Sequence, residues 1–589
     1  MKRNFVHLLA VSPKNAGIAI RSGVSALMAF TTIAAAASTV QFKPAQSYAV
    51  GANPVAAAIS DFNKDGKPDL AVLNYGSNNV TILLGQEDGT FRSAGNFGAA
   101  IPANSLVPTI AVGDFNGDGK LDVAILLPPN LNNYPSELHI LLGNGDGTLQ
   151  APIVTILDVG EAVAAVADIN GDKKADLIMS LLDANNAVTG VAVLLGNGDG
   201  SFQAPKTVVT AQLSALTVAD LNADGKPDLA ISNSGTVQIM LGHGDGTFSK
   251  GAQAVLPDGS SAGTTWVADL NADGNMDLIV MSQSETCGVN YCNQSQLVSL
   301  FPGREGMFGG EQDMLTGYSV NREGLGNADW IGEIAIGDFN GDGRPDIAAR
   351  RTRVQASQVV GRTLAIYLGN GDGVSSTALS LPDPGPFVAV VDLNSDQLAD
   401  LVALDSANNS VDVLLNATPA FSLTASTNAL TANAGEQVTD TLSLTGVNGF
   451  SSTLQLSCQV VGPAPTPTCS LSPASITAGA SASVSTLTIG VPATAALLSP
   501  HTWRLPPVCA LAFPFAFVGL GFRRKRVSPR HKRWLLEASL ATAALLCTGC
   551  GGGGNSNTQS VHQPQSYMVQ VTAASDSLTK AMQISLTVQ

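Results

Sequence analysis

The sequence predicts an all-β chain: a seven-bladed β-propeller closed by an amino-terminal strand, followed by an immunoglobulin-like β-sandwich that a hydrophobic, helical hairpin interrupts. Three observations predict it. A nine-residue acidic motif recurs seven times, short β-branched runs flank each copy, and after residue 416 the pattern changes to Ser/Thr-rich alternation without acidic loops. The expected boundaries are an export signal at 1–37, the propeller at 40–416, the first part of the sandwich at 417–492, the hairpin with its basic loop and glycine spacer at 493–564, and the closing strands at 565–589.

At the amino terminus, Lys2, Arg3, Lys14 and Arg21 are followed by an uncharged apolar run from Gly23 and by small residues at Ala34 to Ala37. That order is expected of an export signal cleaved near Ala37-Ser38, with a plain membrane anchor as the alternative.

The repeat reads DFNKDGKPD from Asp61, DFNGDGKLD from Asp114, DINGDKKAD from Asp168, DLNADGKPD from Asp220, DLNADGNMD from Asp269, DFNGDGRPD from Asp338 and DLNSDQLAD from Asp392. Start-to-start spacings are 53, 54, 52, 49, 69 and 54 residues. Each copy lies between two apolar runs, such as Val55 to Ile59 and Leu70 to Leu73, and a third run ending in glycine leads through a turn to a Phe-led fourth. Four short strands in a repeat of this length cannot bury both faces alone, so the repeats are expected to stack as propeller blades. The last repeat lacks a fourth strand, whereas Val40 to Ala45 before the first repeat resembles the fourth strand Ser201 to Lys206. The amino-terminal segment is therefore expected to complete the seventh blade and leave no open edge.

Carboxylates at positions 1, 5 and 9, an amide oxygen at position 3 and a backbone carbonyl at position 7 bring only hard oxygen donors to one tight turn, which points to calcium. The expected ligands are Asp61, Asn63, Asp65, Lys67 and Asp69 in the first loop; Asp114, Asn116, Asp118, Lys120 and Asp122 in the second; and Asp168, Asn170, Asp172, Lys174 and Asp176 in the third. The fourth and fifth supply Asp220, Asn222, Asp224, Lys226 and Asp228, then Asp269, Asn271, Asp273, Asn275 and Asp277. The sixth and seventh supply Asp338, Asn340, Asp342, Arg344 and Asp346, then Asp392, Asn394, Asp396, Leu398 and Asp400. Up to seven calcium ions, one per blade, are expected, and the loops with Lys173 and Gln397 in place of the sixth-position glycine are expected to bind most weakly.

Charge supports this reading. Residues 40–416 hold 42 Asp or Glu against 17 Lys or Arg, an excess near −25 that disfavours nucleic acid and anionic membrane surfaces as partners and calls for cations in the folded state. A second motif, Gly-x-Gly-Asp-Gly at Gly143, Gly196, Gly242 and Gly369, joins two strands rather than opening a helix and reads as a turn, not a phosphate cradle.

The acidic loop, with Leu-Leu-Gly-Asn-Gly-Asp-Gly downstream, resembles the FG-GAP and VCBS repeat family, the repeat of integrin α-subunit propellers and of many secreted bacterial proteins. Over residues 40 to 416 the resemblance implies calcium-stabilised blades and a surface role in adhesion or ligand binding. It names no ligand.

In the tail, alternating segments such as Phe421 to Thr424, Thr441 to Leu444, Leu454 to Ser457 and Ser485 to Ile489 are expected to form a bacterial immunoglobulin-like sandwich, closed by Tyr567 to Val571 and Gln583 to Val588. Between them, Leu505 to Phe522 and Trp534 to Cys550 flank seven basic residues from Arg523 to Arg533, as in a membrane hairpin with a cytoplasmic loop, although Pro514 and Glu537 weaken both stretches. Leu546 to Cys550 also resembles a lipobox, but cleavage there would sever the propeller from its anchor. Local disulfides are expected for Cys287–Cys292 and Cys458–Cys469 in an oxidising compartment.

The chain is not expected to be an enzyme. His139 and His243, the two histidines within 40–416, sit in a strand and a glycine turn, and the recognisable carboxylates are assigned to calcium. Exposed at the cell envelope or secreted, it is expected to bind an extracellular protein or glycan; a lectin or a polysaccharide-active enzyme is the alternative. Trp266 and Trp330 are the candidate sugar platforms, and the long fifth repeat, with Glu311 to Asp329, is the candidate recognition loop.

Overall fold

The computed structural model describes residues 40–493 and 564–589, apart from 103–106, 129–135, 158–159, 183–187, 211–212, 257–259, 272, 288–290, 305–306, 311, 323–324, 356–357, 371–373 and 576–577. The expected export signal, both apolar stretches, the basic loop and the lipobox-like residues 546–550 lie outside the described residues. Among the described residues no helix is long and apolar enough to cross a membrane.

The described chain is all-β, and most of it is four-stranded antiparallel sheets of propeller-like blades. In the first, Pro54–Ser60, Asp69–Asn74, Asn79–Gly85 and Phe91–Gly98 pair in chain order. The second strand is buried at all six positions, because partners flank it in the sheet and side chains cover both faces. A continuous Leu-Ala-Val-Leu run there, rather than alternation, is the sequence mark of such a strand. The fourth strand alternates toward exposure and forms the outer edge. The same order recurs from Thr109–Gly113 to Ile153–Leu157, from Gly160–Ala167 to Lys206–Thr210 and from Ala215–Ala219 to Phe248–Val255.

Successive sheets share apolar cores. Ile82 and Ile125 meet between the first two sheets, Leu126 and Met179 between the next two, then Ile178 and Ile231, Ile239 and Val280, Ile279 and Ile347, and Ile366 and Leu401. Val72 and Val402 share a core between the first repeat and the last. Each fully buried aliphatic side chain contributes about 2 kcal/mol, so these interfaces and not the isolated sheets hold the repeats together.

Two expectations shift. The amino-terminal strand that joins the last repeat is Gln46–Ala49, paired antiparallel with Ser410 to Val413, rather than Val40 to Ala45. Phe42 makes a single bridge to Asn416 and packs 6.1 Å from Phe339, while Tyr48 takes the strand position and stacks edge-on to Phe91 at 5.4 Å. Extra residues in the fifth repeat lengthen strands instead of forming one irregular loop. Asp277–Cys287, Tyr291–Phe301, Gln312–Arg322 and Leu325–Gly337 join the fifth and sixth repeats into one eight-stranded sheet. Cys287 and Cys292 are Cα partners across it, but their side chains are not among those described.

The tail forms a four-stranded and a five-stranded sheet around one core that includes Phe421, Leu442, Leu487, Tyr567 and Ile584. Gln565–Ala574 pairs antiparallel with Thr453–Val461, and Thr579–Val588 with Gln565–Ala574, so strands from before and after residues 494–563 complete one body. Cys458 and Cys469 are disulfide-bonded within it.

Candidate metal centres

Each acidic loop connects the first two strands of its repeat and is wound around its own amides. In the first loop, Asp61 accepts hydrogen bonds from the Asp65 and Gly66 amides at 3.1 and 2.8 Å, Asn63 Oδ1 also accepts from Asp65 at 2.9 Å, and Asp65 Oδ1 accepts from Lys67 at 3.0 Å. The first-position carboxylate and third-position amide thus converge on one N–H. The same network recurs at Asp114, Asp168, Asp220, Asp269, Asp338 and Asp392.

The ninth-position carboxylate does something different. Asp69 is fully buried; its Oδ2 accepts the Phe62 amide at 2.8 Å and its Oδ1 the Gly85 amide at 2.7 Å. Asp122, Asp176, Asp228, Asp277 and Asp346 repeat the pair with the residue ending or following the third strand, Gly143, Gly196, Gly242, Gly303 and Gly369, and Asp400 does so with Asn416. This clamp, a structural role for the ninth-position carboxylate, is not legible in the spacing of the acidic motif. Its signal was present in the glycine that ends the third run of most repeats. A Cβ at Gly85 would lie 2.1 Å from the Pro68 carbonyl oxygen, so no side chain fits there.

Burial pushes these ninth-position carboxyls up, the two amides pull them back, and the first- and fifth-position carboxylates push them up again. Asp69 and Asp122 reach about 6, Asp346 and Asp400 about 7. Asp176, Asp228 and Asp277 are raised for the same reasons.

As a donor set, the loops fit a hard cation. Only oxygens are gathered, they carry negative charge, and a carboxylate oxygen that accepts one amide hydrogen keeps a second lone pair. Among the described residues no group of three or more His, Cys, Asp or Glu is drawn together closely enough to hold a metal as it stands, since the loop oxygens face loop amides.

Position 7 supplies local positive charge in the first four loops. Lys67, Lys120, Lys174 and Lys226 place Nζ 3.3, 3.2, 3.8 and 3.6 Å from the fifth-position carboxylates of their own loops. Asn275 donates to Asp273 at 2.9 Å. Lys173 and Gln397 keep the backbone of the other loops at φ 67° and 66°, and their amides bond Asp168 and Asp392 as Gly66 bonds Asp61. The missing glycines therefore leave the loop shape intact at a conformational cost of about 1–2 kcal/mol each.

The seventh loop differs most. Leu398, at the position of those lysines, is fully buried in the sandwich core.

Other expected site residues are structural. His139 is buried between the Ala99 carbonyl and Glu137. Trp266 is a core residue at 3% exposure, which removes it as a sugar platform, and Trp330 is half-buried. In the glycine turns, Asp88, Asp146, Asp199 and Asp245 accept from the amide and hydroxyl of Thr90, Thr148, Ser201 and Thr247, which is turn chemistry.

Comparison with known proteins places FG-GAP-like repeats at residues 61–125, 168–231 and 220–280. No curated protein matches. Among solved structures, the chain is similar to the Photorhabdus luminescens Tc holotoxin pore at 14% identity and TM-score 0.20, over 56% of this chain and 20% of that one. It is also similar to a protein from Lactobacillus plantarum at 12% identity and TM-score 0.31, over 61% of this chain and 95% of that one. Surface layer protein SbsC, domains 1–6, aligns at 10% identity and TM-score 0.13, over 91% of this chain and 54% of that one.

Proposed function

We propose that this chain is an exported, calcium-binding, seven-bladed β-propeller carrying an immunoglobulin-like sandwich, and that it serves at the cell surface as an adhesion, ligand-binding or scaffolding module for an extracellular protein or glycan. FG-GAP-like repeats support a propeller of the adhesion type. Ring closure is supported by one relationship above all. The glycine turn of each early repeat seats on the preceding repeat: Gly200 and Gly246 donate to the Phe115 and Ile169 carbonyls, and a Cβ on Gly147 would meet Leu84. In the same way a Cβ on Gly89, in the first repeat, would meet Leu415 and Asn394 of the last.

Calcium in this reading is held by the first-, third- and fifth-position side chains and the seventh-position carbonyl, with the remaining lone pairs of the ninth carboxylate behind them. When bound it supplies positive charge to carboxylates that otherwise repel one another. The chain's own residues wind the loop and clamp it to the sheet. Nothing in this role requires turnover, and the hydrophobic hairpin would hold the module to the membrane.

The deciding experiment is calcium titration of the full chain by calorimetry, with thermal melting in calcium and after metal stripping. Saturable uptake and a raised midpoint are expected; no uptake with an unchanged midpoint overturns the metal reading. Particle images without sevenfold pseudo-symmetry overturn the ring. Capture from envelope material by the calcium-loaded form and not by the stripped form, followed by a glycan array, separates a protein partner from a glycan.

A further inference from the structure

The sixth repeat sends a hairpin beyond its packed blade. Its second strand, Asp346–Gln355, is buried from Asp346 to Ala349 and emerges from Arg350 onward, and its third, Gln358–Gly369, is exposed from Gln358 to Thr363 and buried from Leu364 to Tyr367. At about 3.3 Å per residue the emergent part reaches about 20 Å past the packed part. The seventh repeat packs on one face of this sheet, where Phe387 and Leu401 share a core with Leu364. Its strands, Phe387–Val391, Asp400–Asp405 and Ser410–Leu414, are shorter, so the outer part of that face stays open.

On this face Trp330 lies opposite Thr352, and Thr352 opposite Arg362, on adjacent strands. Opposed residues share a face and neighbouring strands lie about 4.8 Å apart, so an indole, a hydroxyl and a guanidinium stand in a row about 10 Å long. Arg362 is exposed and, among the described residues, forms no ion pair or hydrogen bond. Charges nearer the ring are already paired. Arg350 is bidentate to Asp383 at 2.7 and 3.0 Å, Arg351 donates to Asp329 at 3.0 Å and to the Tyr367 hydroxyl at 2.6 Å, and Glu333 accepts the Phe387 amide at 3.0 Å. Residues 350–363 hold four arginines and no Asp or Glu, against the excess near −25 of the body as a whole.

We propose that Trp330, Thr352 and Arg362 form a binding site for an acidic polysaccharide, one whose sugar rings carry carboxylates. The fork of a guanidinium matches a carboxylate, the flat indole packs against the C–H face of a pyranose ring, and the threonine hydroxyl between them meets sugar hydroxyls. The acidic body repels a polymer of dense phosphate charge or an anionic membrane, whereas sparse carboxylates on sugar rings suit one free guanidinium beside an aromatic face. The inference rests on the glycan form of the adhesion reading and does not depend on calcium in the loops.

The test measures, by calorimetry on the full chain, affinity for hyaluronan, for short oligogalacturonates, for neutral maltodextrins of the same length and for duplex DNA. The wild type and Arg92→Gln, which removes an exposed arginine from the outer edge of the first repeat, are expected to bind at least one of the two acidic glycans alike. Arg362→Gln should bind it about ten- to a hundredfold more weakly, as expected for a lost charge-assisted pair. Trp330→Phe, which keeps a ring, should bind better than Trp330→Leu. Wild-type binding to neither acidic glycan, equal affinity for maltodextrin or DNA, or an affinity unchanged by Arg362→Gln each overturns the inference, whether or not the Trp330 variants fold. In the last case glycan binding stands with its site elsewhere, and where no polymer binds, the adhesion reading falls only if capture from envelope material fails as well.

Discussion

The backbone amide of Gly85 donates to Asp69 Oδ1 at 2.7 Å while Oδ2 of the same carboxylate takes the Phe62 amide, so one side chain clamps the acidic loop to the end of the third strand. Asp69→Ala strands two buried donors. A loss of about 2–6 kcal/mol is expected, at about 1–3 kcal/mol per unsatisfied group, and it should persist in metal-free buffer. Denaturant unfolding with and without calcium checks it; a loss confined to calcium-containing buffer would mean that Asp69 acts only as a ligand.

The raised ninth-position carboxyls fix the sign of a pH effect. Their folded values, about 6 for Asp69 and Asp122 and about 7 for Asp346 and Asp400, lie above the ordinary 3.8, so the fold favours their protonated form. The stability they contribute is complete below about pH 4 and is lost as pH rises through 6 and 7. Metal-stripped protein should therefore melt at progressively lower temperature from pH 4 to 7, and calcium should flatten that slope. A stripped-protein midpoint that climbs over this interval contradicts the assignment.

Lys173 and Gln397 hold a left-handed backbone that glycine adopts freely. Lys173→Gly and Gln397→Gly should each stabilise the fold by up to about 1 kcal/mol, the relief of strain exceeding the added chain entropy. Chemical denaturation in metal-free buffer reads this directly, and destabilisation by either variant would show that the side chain itself supports the loop.

The Cys458–Cys469 bridge closes a short loop between two strands of the sandwich. Replacing both by serine should cost about 2–3 kcal/mol, seen as a lower midpoint under non-reducing conditions, with no change in calcium uptake. Reduced calcium uptake would tie the sandwich to the acidic loops more tightly than the contact between Leu398 and its core implies.

Strand content was legible because buried second strands such as Leu70 to Leu73 are unbroken apolar runs, and the sandwich strands alternate. The amino-terminal strand was misplaced by several residues because Phe42 resembles the Phe that leads each fourth strand. In fact it packs on Phe339 ahead of the pairing, and Tyr48 occupies the sheet. The polar fifth-repeat insertion resembled a loop because its sequence carries neither an apolar run nor alternation, and backbone pairing such as that of Thr286 with Asn293 leaves no mark in such a pattern. At the loops, spacing identified which oxygens are present but not which amides they meet. The clamp by Asp69, and the approach of Lys580 to Gly341 from more than 200 residues away, depend on backbone that only the folded chain brings together.

Pairing of Val571 with Cys458 across the intervening residues 494–563 means that peptide continuity is not what keeps the last strands in place. A protease or signal peptidase cutting anywhere in that stretch would leave two fragments joined by a full ladder of backbone hydrogen bonds and a common core. Scission there would yield a nicked heterodimer, with the carboxy-terminal fragment, and any lipid attached to its new end, still holding the rest of the molecule.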